Sequence, residues 1–389
     1  MPELIYLDHA ATTPVRPEVL EAMLPFYGPR FGNPSSMHRW GREARTALDE
    51  ARERVARCLG ASPDEICFTS GGTEADNLAV LGGWRAQRRK RGRSAVVTTP
   101  IEHKAVLGAV HQAVREGAEE RLCRMRADGT VDAASFESLV GDDVGVVSVM
   151  WVNNEIGTVQ PVEEFVAHAK SHGALFHTDA VQAFGKLPID ARAVPVDLLS
   201  ISGHKIGAPK GVGAMFIRRG TAIEPLLHGG TQDRGRRPGT ENIAAIVGLA
   251  RAAELAVAER EMECERLEGL RRRLEEAIES RVPDAVIHGR AAERRAPHIV
   301  NLSVPGTDSE SLLMALDLKG VGCSAGSACQ SGSVSPSHVL SAIGVKPELG
   351  SAAIRMSLGA LTTDAAIDQV AELFPVLVAR ARGLSGIAS

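Results

Sequence analysis

No apolar stretch of the 389-residue chain approaches the ~20 residues that a helix needs to cross a bilayer, so no membrane partner is expected. A surplus of positive charge is missing as well. Lys and Arg number 44 against 48 Asp and Glu, and a net charge of -4 gives no general basis for binding nucleic acid or an acidic membrane surface. The densest basic run, Trp84 to Arg93, continues a helical pattern and reads as a solvated helix end. The opening "MPELIYLDHAATTP" lacks a charged start and an extended apolar core, so no secretory leader is expected. The six cysteines (Cys58, Cys67, Cys123, Cys264, Cys323, Cys329) form no CxxC pair and keep no regular spacing. That argues against a disulfide framework and against a metal site, and points to free thiols in a reduced cytoplasm. Internal repeats and low-complexity segments are also absent.

What is present is an ordinary globular composition, 44% hydrophobic and 24% charged, in a chain long enough for two domains. From about residue 65 to 220, short apolar runs ("EICFTS", "AVVTTP", "VGVVSVMWV", "ALFHTD", "DLLSIS", "GAMFIRR") alternate with helical patterns. This alternation predicts an α/β fold whose central sheet is mostly parallel and covered on both faces. Residues 241–282 read as long helix with at least one break. They lead towards a smaller α+β unit containing "HIVNLSVPG", "HVLSAIG" and a closing helix. The division expected is a large domain of 14–255 and a small one of 1–13 with 256–389.

In such sheets ligands gather beyond the carboxyl ends of the strands, so the polar residues there carry the functional reading. After "EICFTS", Gly71, Gly72 and Thr73 open a helix whose first N–H groups could cradle a phosphate, although a plain capped turn has the same look. His103 follows "AVVTTP", and Asn153, Asn154 and Glu155 follow "VGVVSVMWV". Asp179 closes "ALFHTD", with Gln182 a helical turn on. "DLLSIS" runs into Gly203, His204 and Lys205, while Lys210 lies beyond Pro209. Singly, each has a bland explanation as a cap, a core histidine or a solvated lysine. Together they offer a phosphate cradle, a flat ring, a carboxylate and an amine at one sheet edge. Pyridoxal phosphate requires that set, for its phosphate, its ring, its pyridine nitrogen and its aldehyde respectively. Lys205, directly after its strand, is the better candidate for a Schiff-base amine.

"YLDHAATTPV", "NPSSMHRWGREAR", "FTSGGTEADN", "VNNEIGTVQPV", "FHTDAVQAFGKLPID", "SISGHKIGAPKGVGA", "GRRPGTEN", "GSACQSGSVSPSHVL" and "IRMSLG" resemble, in order and over nearly the whole chain, the cysteine desulfurases. These are NifS/IscS-like, fold-type-I pyridoxal phosphate enzymes related to class V aminotransferases. The resemblance implies conversion of L-cysteine to L-alanine, with the sulfur passed to a cysteine as a persulfide for an acceptor protein such as an iron–sulfur scaffold. It implies a homodimer. It also implies that Lys205 holds the aldehyde, that Asp179 pairs with the pyridine nitrogen and that Gln182 contacts the ring hydroxyl. It places His103 on the face of the ring, with a part in moving protons. Gly72, Thr73, Ser202 and His204 hold the phosphate, with Thr240 reaching it from the other subunit. Thr240 could equally cap the helix that follows it. Asn154 and Arg355 hold the substrate carboxylate, a task that suits the planar guanidinium fork.

Cys329 matches the persulfide-forming cysteine, in a run of small residues that cannot pack a core; Cys58, Cys67, Cys123 and Cys264 read as packing residues. The length of that run resembles the branch with an extended loop that serves iron–sulfur assembly or thiolation. Cys323 departs from the family pattern and has no assigned role. His9 stands where relatives often carry asparagine, with little consequence expected. Selenocysteine lyase and cysteine sulfinate desulfinase are the enzymatic alternatives on the same scaffold. A catalytically silent sulfur-handling scaffold is the non-enzymatic one.

Overall fold

The computed structural model describes residues 4–325 and 337–385. Twelve strands occur among them, beginning with β1 (Ile5–Tyr6). Seven form one sheet: β2 (Ile66–Thr69), β3 (Ala95–Thr98), β4 (Glu119–Leu122), β5 (Val144–Ser148), β6 (Leu175–Asp179), β7 (Leu198–Ser202) and β8 (Gly213–Ile217). Their order is β2-β8-β7-β6-β5-β3-β4. Strands β3 to β7 run parallel to one another, and β8 is antiparallel to both β7 and β2. The chain between β7 and β8 is too short for a crossover helix, so β8 must return antiparallel.

Side chains alternate across the sheet with a period of two, and here both faces are apolar. Val97, Val147, Phe176 and Leu199 face one core, shared with the helices Arg39–Cys58 and Ile243–Ala258. Their immediate neighbours Val96, Val146 and Leu175 face the other side, under Trp84, Val106 and Val110. Each predicted apolar run therefore becomes a strand because both of its faces have helices to bury against.

The long helical region breaks at Glu259, between Ile243–Ala258 and Arg260–Arg281. Leu267, Leu270, Leu274 and Ile278 of the second helix, at helical spacing, enter a separate core with Ile5, Leu7 and the helix Asp364–Ser385. Strands β9 (Val286–Ile287), β10 (Ile299–Ser303) and β12 (Ala353–Ser357) form an antiparallel sheet there. The strand β11 (Val321–Gly322) pairs with β1. We propose the division 14–255 and 1–13 with 256–389 for these two cores. Among the described residues no helix is long and apolar enough to cross a membrane.

Candidate active site

The carboxyl ends of β2, β3, β5, β6 and β7 converge on a cavity of about 580 Å³, a size suited to a small-molecule site. Each strand delivers a side chain by the turn that ends it. β2 leads to Gly71 and Gly72, where a helical run to Arg91 begins. The approach is tight: a Cβ on Gly213 of β8 would lie 2.7 Å from Gly71 Cα, so a glycine is required there. Thr73 and Ser202, the last residue of β7, also line the cavity.

Lys205 sits in the short helical turn Gly203–Lys205 directly beyond β7. Its Nζ donates to the carbonyls of Ala10 at 2.6 Å and Ala11 at 2.7 Å. Lys210 also lines the cavity, but is exposed. His204 shares a hydrogen bond with Thr12 Oγ1 through Nδ1 (3.1 Å). Burial, helped by the cations of Lys205 and Lys210, pushes its imidazole down to about 4, so the ring is neutral at pH 7.

Asp179 ends β6 and is 5% exposed, with Oδ1 accepting from the Val181 amide at 2.8 Å. Burial raises its carboxyl above the usual range, while His103 and Lys205 pull it down. His103 caps the helix Lys104–Arg115 by accepting from the Ala105 amide, and burial lowers its imidazole. Gln182 donates to Ala10 O at 2.9 Å. Lys205 and Gln182 are thus tied to one carbonyl of the "AATT" segment near the N-terminus.

Arg355, in β12, reaches the cavity from the second core. It donates to Asp8 Oδ1 and Ser324 Oγ, each at 2.9 Å, and to the backbone oxygen of Asn154 at 2.8 Å. Asn154 itself lines the cavity.

One residue, expected to act in the site of a partner subunit, does not line this cavity. Thr240 is exposed and does not line the cavity, and the cap of the helix Ile243–Ala258 is Asn242, which accepts from the Ala245 amide. Asn242 takes that place because a capping side chain must lie immediately before the first turn, and Thr240 is two residues too early. Cys329 lies outside the described residues. The described residues flanking it on both sides bond at the cavity. Ser324 Oγ donates to Asp8, and Ser337 Oγ donates to Glu155, which lines the cavity. Cys323 is half-buried against the second core, where burial first and Asp8 second push its thiol up to about 12.

Other residues at the site were given no role by the sequence. Asp76 is fully buried, and it, His103 and Asp179 each bring one ligating atom within 4.8 Å of the others. Burial and the charge of Asp179 hold the Asp76 carboxyl well above the usual range. Glu102, wholly buried beside His103, is pushed up to about 8 by burial. His338 lines the cavity and faces the Glu102 carbonyl at 3.0 Å.

A mostly parallel α/β sheet with a lysine turn, a buried aspartate and a glycine-led helix at its carboxyl edge defines a fold-type-I enzyme, and the model of the family "Aminotransferase class-V" matches residues 5–370. A curated cysteine desulfurase IscS from Dictyoglomus turgidum is 45% identical over 98% of this chain and 96% of its own length. One from Clostridium botulinum is 44% identical over 99% and 97%. A solved NifS-like protein superposes with a TM-score of 0.90 at 38% identity, covering 97% of this chain and all of the other. A structure described as "SspA in complex with cysteine" gives a TM-score of 0.80 at 34% identity, covering 91% of this chain and 98% of the other. The chain belongs to the cysteine desulfurase family.

Proposed function

We propose that the cavity performs the reaction of its family, L-cysteine to L-alanine with the sulfur left on Cys329 as a persulfide, on pyridoxal phosphate held by the residues named above. The observation that carries the reading is the placement of Lys205 Nζ, Asp179, His103 and the glycine-led helix start around one cavity. The donor set fits the cofactor. A buried carboxyl that its surroundings push towards neutrality gains its charge when a cationic ring nitrogen faces it, which is the partnership assigned to Asp179. Gly72, Thr73, Ser202 and His204 suit a phosphate, with His204 acting as a neutral hydrogen-bond partner through the nitrogen that Thr12 leaves open. Thr240 is assigned to the same phosphate from a partner subunit, in a homodimer. Gln182 is assigned to the ring hydroxyl, and His103 to the ring face.

Bound there, pyridoxal phosphate supplies an aldehyde that captures amines and a cationic ring that withdraws electrons from the substrate Cα. Lys205 would hold the aldehyde, and its amine is placed to take the substrate Cα proton and to return it before alanine leaves. Asn154 and Arg355 orient the substrate carboxylate. The Cys329 thiolate then attacks the substrate sulfur. The carbon–sulfur bond breaks with its electron pair kept by carbon, which takes a proton and leaves within alanine, while Cys329 keeps the sulfur. An acceptor protein of the iron–sulfur scaffold or thiolation type collects that sulfur, in the cytoplasm. Purified protein loaded with the cofactor should release sulfide (with a thiol reductant) and alanine from cysteine in equal amounts, and more sulfur should be transferred when a scaffold acceptor is added. Alanine production without sulfur release, or neither product, would contradict the assignment.

A further inference from the structure

Behind Gln182 lies a histidine that the motifs did not single out. His298 stands in "APHIVNLS" just ahead of β10, is 3% exposed, and brings Nε2 to 3.2 Å from Gln182 Oε1. We propose that His298 is a positioning residue that locks the Gln182 amide, with its N–H groups turned to the side where Lys205 is held.

The hydrogen-bond roles follow from what each atom can do. Ala10 O can only accept, and it takes both Lys205 Nζ and Gln182 Nε2. The amide nitrogen of Gln182 therefore faces Ala10, and its oxygen faces away, towards His298. An amide oxygen also only accepts, so His298 Nε2 must carry the hydrogen. In that tautomer Nδ1 is a bare lone pair, and His298 Nδ1 is indeed buried with no hydrogen-bond partner. A second proton on Nδ1 would be an orphaned buried donor, which is costly. Burial opposes it as well, as do the cations Lys186, Arg355 and Lys205 on the surrounding elements and any proton taken up by His9. His298 is thus a fixed neutral donor.

Once Ala10 has taken one amide N–H, the other remains for a ligand in the cavity. Without His298 the buried amide oxygen loses its donor, and only the bond to Ala10 O is left to hold the amide in this orientation. This inference rests on the reading that Gln182 donates to the ring oxygen of the cofactor.

The test is a pH titration of the visible absorbance of the holoenzyme. The proton lost in that titration lies between the ring oxygen and the lysine nitrogen, and a donor on the oxygen weakens its hold. His298→Leu should raise the midpoint by about 1 pH unit. His298→Gln, which returns an N–H near the Nε2 position, should restore it. His298→Leu added to Gln182→Leu should shift nothing further. A wild-type midpoint in His298→Leu while Gln182→Leu alone shifts would overturn the role of His298. An unshifted Gln182→Leu would overturn the underlying assignment of Gln182. Should His298→Leu fail to fold, nitrogen NMR of the wild type decides: a neutral ring protonated on Nε2 supports the proposal, and one protonated on Nδ1 overturns it.

Discussion

Arg355 Nη2 lies 2.9 Å from Asp8 Oδ1, at the wall of the cavity, although the arginine is only 2% exposed and the two residues stand at opposite ends of the chain. Ser324 bonds to both, and the Asn154 carbonyl takes a third N–H. The guanidinium is therefore aimed before any substrate arrives, with its Nε left unpartnered and buried. Arg355→Ala should weaken substrate binding by about 2–5 kcal/mol, raising the KM for cysteine about thirtyfold or more. Steady-state kinetics check this, and an unchanged KM would remove Arg355 from the carboxylate site.

Lys205 and Lys210 both line the cavity, and it is Lys205 that is anchored to the Ala10 and Ala11 carbonyls, while Lys210 is exposed. Lys205→Ala should abolish the visible band of the lysine-bound cofactor, and Lys210→Ala should keep it. Loss of the band in Lys210→Ala alone would reverse the assignment.

Asp179→Ala removes the carboxylate that faces the cavity from the end of β6. Cofactor retention through gel filtration should fall, and turnover should fall further than retention does, because the cationic ring loses its counter-ion. Near-normal turnover by a fully loaded variant would contradict the role given to Asp179.

Stability should depend on pH through buried groups of opposite sign. Burial pushes His177 down to about 3 and His204 and His288 to about 4, against 6.5 when unfolded. Their neutral forms contribute fully above 6.5, and that contribution is lost as pH falls from there towards 4, because only the unfolded chain takes up protons in that window. Glu102 works the other way: held near 8 when folded against 4.5 unfolded, it contributes fully below 4.5 and progressively less as pH rises to about 8. The Tm should therefore drop on acidification below about 6.5. Glu102→Gln should gain on wild type steadily between pH 5 and 8. A Tm difference constant over that range would show Glu102 ionised at an ordinary pH.

The parallel strands were legible in the sequence because a strand buried on both faces must be a continuous apolar run. β4 was not, since its residues Glu119–Leu122 lie at the sheet edge and are largely exposed, so no apolar signal marks it. The reversal of β8 is written in the length of its connection rather than in its own residues. Lys205, Asp179 and Gln182 could be read because each lies at the carboxyl end of its strand or within three residues of it. The parts played by Asp76, Glu102, His298 and His338 could not, even where the residue lies inside a family-like stretch, because what makes each part of the site is contact with segments distant in sequence. The capping role weighed for Thr240 fell to Asn242 for a reason of local spacing.

Cys323 is the internal control for the central claim, because burial and Asp8 keep its thiol protonated near neutral pH and a thiol is a poor nucleophile beside a thiolate. Cys323→Ser should therefore keep its activity. Cys329→Ser should still bind the cofactor and respond spectrally to cysteine, yet lose sulfide release. The most direct measurement is peptide mass spectrometry of the wild-type protein after exposure to cysteine without reductant. The account predicts one additional sulfur on the peptide carrying Cys329 and none on Cys323. Sulfur found on Cys323, with Cys329→Ser fully active, would contradict it.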